Sequence, residues 1–244
     1  MRVPSVGSPS SLDGGCRVWA LPPDETCAGV ARARVRETMR GLPEKLVRDS
    51  ATMVSELATN AFVHALGRRR PAPFVPELYL YRRGERPELV VKVFDRVPWQ
   101  GSLPQRAAPG AESGRGLEVV AALAGEHGGS WGVHRSRSWL DATPGKVVFF
   151  SVPMSAAWSA PRRGSGQAVG ELVKGLAARG MEPVLHSRGR DVSVLTVRAG
   201  ITVRVRGETC SVTMPPLGAV TFPTWDLIEA MEVIVRCGED LHAG

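Results

Sequence analysis

Apolar residues recur along this chain with two different periods, and the alternation between them predicts most of its elements. Over residues 25–40, Val30, Ala31, Val35 and Met39 fall at helical steps, with Asp24 placed to cap the run and Gly41 and Pro43 to stop it. A second helix starts near residue 44, and Val54, Leu57, Ala58, Ala61 and Phe62 give it an apolar flank. A short strand at 16–21 precedes both helices. Residues 77–81 and 88–95 read as adjacent strands joined by a turn around Gly84, and the second, E-L-V-V-K-V-F-D, is apolar almost throughout, as a central buried strand would be. A helix from residue 116 runs through L-E-V-V-A-A-L-A to Gly128 and Gly129, and residues 130–134 and 146–152 read as two further strands. The order predicts an α+β sandwich with helices on one face of a mixed, mostly antiparallel sheet.

The pattern then breaks and restarts. Residues 155–166 are rich in Pro, Gly and Ser and read as a linker. Beyond it the periods predict a helix to residue 179, four strands near 182–186, 192–199, 201–206 and 209–214, and a closing helix over about 224–237. The chain therefore divides into a loose tail at 1–14, a first domain at 15–154, the linker, and a small α+β domain of helix, β-meander and helix at 167–244. The last is small enough to have a marginal core, and nothing in it indicates a role.

Polar residues at selected places carry the candidate chemistry. Glu56, Asn60 and His64 stand at four-residue steps on one flank of the second helix. A carboxylate and an amide one turn apart can hold a hydrated divalent cation; the plainer alternative is a solvated helix face. Asp95 ends a buried strand, where a carboxylate is costly without a partner, unless it caps a turn. Gly114, Arg115 and Gly116 lead into a helix, where backbone can approach a phosphate, free N–H groups face it and Arg115 can add a charged contact. An ordinary helix-start turn is the alternative. Residues 96–114 lack any hydrophobic period and read either as a lid over a site or as a surface loop. Lys146, which opens the last strand of the first domain, reads as a solvated strand-edge lysine.

Composition removes several classes of function. The 244 residues are 43% hydrophobic and 23% charged, which excludes disorder throughout. The formal net charge of +7 favours acidic partners, yet the arginines are scattered without a long basic run or interleaved aromatics, so nucleic acid is not expected. Cys16, Cys27, Cys210 and Cys237 are far apart, offering neither a zinc spacing nor a disulfide framework. The first fifteen residues lack the build of a signal peptide and no apolar run is long enough to span a bilayer, so a cytoplasmic protein without membrane attachment is expected. No phosphate-binding P-loop and no G-x-S-x-G is present.

Three segments in order, V-S-E-L-A-T-N-A-F-V-H-A at 54–65, E-L-V-V-K-V-F-D at 88–95 and E-S-G-R-G-L-E-V-V at 112–120, resemble the ATP-binding domain of the GHKL superfamily. The Bergerat-fold sites of histidine kinases, gyrase-type topoisomerases and anti-sigma-factor kinases belong to it, and the look is nearest to the anti-sigma-factor serine kinase branch and its actinobacterial relatives. The resemblance implies a Bergerat-type sandwich over about residues 16–153, with ATP and Mg²⁺ as cofactors. Asn60 would hold the metal and Glu56 would be the general base. His64 would contact phosphate or line the pocket, Asp95 would accept from the adenine amine, and Gly114, Arg115, Gly116 and Leu117 would bind the nucleotide. It further implies a serine/threonine kinase acting on a partner regulator, with a sigma factor and an anti-sigma antagonist as partners by analogy and homodimerisation left open. Two departures stand out: relatives usually have glycine two residues after the aspartate, where this chain has Val97, and a hydroxyl residue at the position of Val147. They keep open a second reading, an inactive or weakly binding Bergerat-fold module that acts by docking in transcriptional regulation.

Overall fold

The computed structural model describes residues 15–66, 75–99, 115–154, 163–182, 184–215 and 218–242, leaving the side chains of 64–66 and 199 undescribed. It is a mixed α+β protein with two five-stranded antiparallel sheets and five helices among the described residues. Strand β1 (Arg17–Ala20) leads into helices α1 (Cys27–Thr38) and α2 (Glu44–Leu66). Strands β2 (Glu77–Arg83) and β3 (Glu88–Asp95), helix α3 (Gly116–Glu126) and strands β4 (Ser130–Arg137) and β5 (Pro144–Pro153) complete the first unit. Its sheet runs β1-β2-β3-β5-β4.

The pleat sends alternate residues of β3 to opposite faces. Leu89, Val91 and Val93 point to the helix side, where they share a core with Val35 of α1, Leu57 and Ala61 of α2, and Val120 of α3. Val90 and Phe94 point to the back and join Tyr79, Tyr81 and Val147. Gly84 makes the β2–β3 turn with φ of +79°, a left-handed backbone that glycine adopts without penalty.

The second unit comprises α4 (Ser165–Ala178), β6 (Val184–Arg188), β7 (Ser193–Val197), β8 (Ile201–Arg206), β9 (Thr209–Met214), β10 (Gly218–Pro223) and α5 (Leu227–His242). Its strands pair in sequence order, and the meander has five strands where the periods predict four. β10 escapes the pattern because only Phe222 of its residues is buried, so no alternation marks it. The inward residues of β7, β8 and β9, among them Leu195, Val203 and Val212, pack with Leu172 and Leu176 of α4 and Ile234 and Val235 of α5.

The expected arrangement of helices on one face of the first sheet is therefore incomplete. Helices α1, α2 and α3 cover one face, while α5 of the second unit lies against the back, with Ile228 packed into the Tyr79/Tyr81 cluster. Polar contacts anchor that packing. Tyr79 and Tyr81 donate to Glu232 (3.0 Å) and Glu229 (2.6 Å), and Arg135 and Arg137 pair with Asp240 (2.9 Å) and Glu239 (2.8 Å). Among the described residues no helix is long and apolar enough to cross a membrane.

Candidate functional site

The middle of α2 is held by its buried flank. Val54, Leu57, Ala58 and Ala61 face the sheet core, which turns Glu56 and Asn60 to the half-buried edge of the helix. Against that edge stands the start of α3. A Cβ built on Gly116 would lie 2.5 Å from Glu56 Oε2, so the absence of a side chain there lets the carboxylate rest on the first turn of α3. Arg115, the residue before the helix, is exposed, and its side chain does not cap the helix N-terminus. Glu118 N–H donates to the Arg115 carbonyl at 3.0 Å, and among the described residues the Gly116 and Leu117 N–H groups meet no acceptor, so these two stand beside a carboxylate in a cradle suited to phosphate oxygens and a cation. Leu117 is half-buried and packs on the helix-side core.

Asp95 continues the alternation of Leu89, Val91 and Val93, which puts it at the helix-side end of β3. It is 2% exposed. Its Oδ1 accepts from the Val97 N–H at 2.8 Å, and its Oδ2 is ion-paired with Lys146 Nζ. Lys146 is its register partner on β5 and is itself largely buried, which corrects the reading of that residue as a solvated strand-edge lysine. The missing glycine at position 97 also finds its reason here. The Asp95 side chain folds onto the backbone two residues on, in a turn that Val97 enters with negative φ, so no left-handed residue is required. Gly145 precedes Lys146, and a Cβ on it would collide with the Asp95 carbonyl at 2.3 Å. This glycine lets β5 close on the end of β3.

The structure thus places Glu56 against Gly116 and sets Asp95 on the same side of the sheet as α2. The backbone of His64 is helical; its side chain and residues 100–114, which include Gly114 and most of the stretch predicted as a lid, lie outside the described residues. A cleft of about 270 Å³ bordered by Trp99, Arg135, Pro144 and His242 opens where β5 begins beside the end of α5, and it contains none of the predicted site residues.

Sequence reasoning missed a second polar centre on the back of the sheet. Glu232 of α5 is 2% exposed and sits between Lys92 Nζ (2.8 Å) and Arg179 Nη1 (2.7 Å). Burial alone would raise its pKa; the Lys92 and Arg179 charges overturn that and hold the carboxyl well below the usual range. His134 is 3.1 Å from Lys92, and burial followed by that positive neighbour pushes its pKa down to about 3. Arg179 also donates to Ser136 and lies over the Trp139 ring. The signal was Lys92, a lone charge in an otherwise apolar strand. Its counter-charge, Glu232, comes from a helix 140 residues on, beyond any local pattern.

Residues 21–137 match the family model described as the histidine kinase-like ATPase domain. This stretch holds every site residue predicted above, and the match supports a GHKL-type ATPase domain in the first unit. No curated protein matches the sequence.

Proposed function

We propose that the chain is a Mg-ATP-dependent regulator that transfers phosphate to a serine or threonine of a partner protein, in the manner of anti-sigma-factor kinases. The observation that supports this most is the seat of the Glu56 carboxylate against Gly116 at the start of α3. A base must lie within hydrogen-bond reach of the hydroxyl it activates, and a phosphate cradled by the α3 N-terminus brings its terminal phosphoryl to this carboxylate. Asn60, one turn further along α2, would hold the Mg²⁺, and Arg115 would pair with phosphate oxygens. Bound Mg-ATP supplies the transferable phosphoryl group. The chain's own residues position it, neutralise its charge and take the proton of the attacking hydroxyl. The partners in this reading are a sigma factor or its antagonist, by analogy with the branch resembled.

One observation favours a second reading, a nucleotide-tuned docking module without transfer. Both Asp95 oxygens already hold protein partners, so an incoming base meets an engaged carboxylate. A transfer assay with radiolabelled ATP and candidate partners encoded beside this chain separates the two. The kinase reading predicts label on serine or threonine of one partner, lost by about 10²-fold or more in Glu56→Gln while Mg-ATP binding is retained. Binding without transfer to any partner, in wild type and variant alike, leaves the docking module.

A further inference from the structure

We infer that Lys146 is a base-reading residue of the nucleotide site. In this assignment its ammonium donates to the ring nitrogen N1 of adenine while Asp95 accepts from the exocyclic amine. The inference rests on the proposal that Asp95 faces the base, and it adds a residue beyond the span that matches the ATPase-domain family.

Four observations carry it. Asp95 and Lys146 are direct register partners on β3 and β5, so both side chains leave the sheet on the same, helix-side face. Their side chains are 3% and 12% exposed, and the ammonium pairs with Oδ2. Val97 N–H holds Oδ1 from the other side and fixes the plane of the carboxylate. An ammonium has three donors, and among the described residues Asp95 is the only acceptor that Lys146 meets, so two N–H groups remain for a ligand. The carboxylate keeps lone pairs as well, since each oxygen bonds only one donor. An acceptor and a donor thus stand side by side at one strand end. The Watson–Crick edge of adenine offers the complement, a donating amine next to an accepting ring nitrogen. Val147 is apolar and points to the back of the sheet, so Lys146 is the residue of this strand that can take up the hydrogen bonding a hydroxyl would otherwise provide.

The test compares Mg²⁺ complexes of ATP, of 1-deaza-ATP, in which N1 is replaced by C–H, and of purine riboside triphosphate, which lacks the amine. Each is titrated calorimetrically into wild type, Lys146→Met and the apolar pair Asp95→Leu/Lys146→Met, which leaves no buried carboxylate unpaired should the single variant fold poorly and offers the base neither donor nor acceptor. Wild type is expected to bind ATP roughly ten- to a hundredfold more tightly than 1-deaza-ATP, the worth of one charged hydrogen bond. Lys146→Met should bind the two alike at the weaker level yet still discriminate against purine riboside triphosphate. The double variant should distinguish none of the three. A 1-deaza penalty that persists in Lys146→Met or in the double variant overturns the inference, as does tighter ATP binding by Lys146→Met, which would make the lysine a plug on Asp95. Wild type that binds none of the three nucleotides removes the nucleotide reading itself, and this inference with it.

Discussion

The two faces of the first sheet are built from the same strands and solved by opposite chemistry. On the helix side Leu78, Leu80, Leu89, Val91, Val93 and Phe150 meet α1, α2 and α3 in a dry core. On the back, Tyr79, Tyr81, Lys92 and His134 meet α5 through a buried cluster centred on Glu232. A dry face tolerates many ways of packing a helix, because apolar contacts have no direction. The back face does not. Asp226, just before α5, and Glu229, Glu232, Glu239 and Asp240 along it reach the Gly84 N–H, Arg83, Lys92, Arg137 and Arg135 in turn. Any shift of α5 would strand several charges at once, so the ionic face sets where the second unit sits.

That contrast has a price in the event of a break, and the largest predicted effect tests it. Glu232→Leu leaves Lys92 and Arg179 buried without a counter-charge, and urea unfolding should show a loss of about 3–5 kcal/mol. Replacing all three, as Lys92→Met/Arg179→Met/Glu232→Leu, should restore stability to near or above wild type, because well-packed apolar groups often match a buried ion cluster. If the triple variant is as unstable as Glu232→Leu, the ions contribute more than orientation. On the dry face the pattern differs: Leu80→Ala should cost about 2–5 kcal/mol through lost burial and the cavity it leaves.

A smaller effect comes from protonation, and it is confined to the back face. His134 is held down at about 3 against 6.5 for the free side chain, so between those values the unfolded chain binds a proton that the folded one refuses. Its contribution to stability is present above pH 6.5 and is lost as pH falls through the window. Asp226 runs the other way. Burial lifts it from 3.8 to about 6, outweighing the Gly84 N–H, so the folded state keeps a proton in that window and the contribution is lost as pH rises. The two slopes oppose each other between about pH 4 and 6. Relative to wild type, Asp226→Asn should therefore gain stability with rising pH, and His134→Gln should lose it, each by about 1.4 kcal/mol per pH unit. Unfolding free energies measured across pH 4.5–7.5 check both signs.

Much of this fold was legible in local patterns, and what was not legible shares one cause. Helical periods located α1, α2 and α3, and the apolar run at 88–95 gave the central strand, because each element buries a face that its own sequence records. Glu56 and Gly116 were singled out by spacing and turn chemistry, and the structure sets them against each other. The pairing of Lys146 with Asp95 was missed because strand register joins residues 51 positions apart, and no period reports register. The formal net charge of +7 favours acidic partners. Yet Arg83, Arg135, Arg137, Arg179 and Arg198 all pair with carboxylates of α5, so part of the positive excess is spent inside the molecule. Strand β10 was missed for a simpler reason, having almost no buried residues to mark it.

The central claim is that α2, the end of β3 and the start of α3 together form a nucleotide site. It is tested most directly by calorimetric titration of Mg-ATP into wild type and Asp95→Asn, with folding of both confirmed by thermal unfolding. The account predicts saturable binding to wild type and binding weakened roughly tenfold or more in the variant, as expected when a charged acceptor is lost. Absence of heat with both folded proteins, or equal affinity for both, would contradict it.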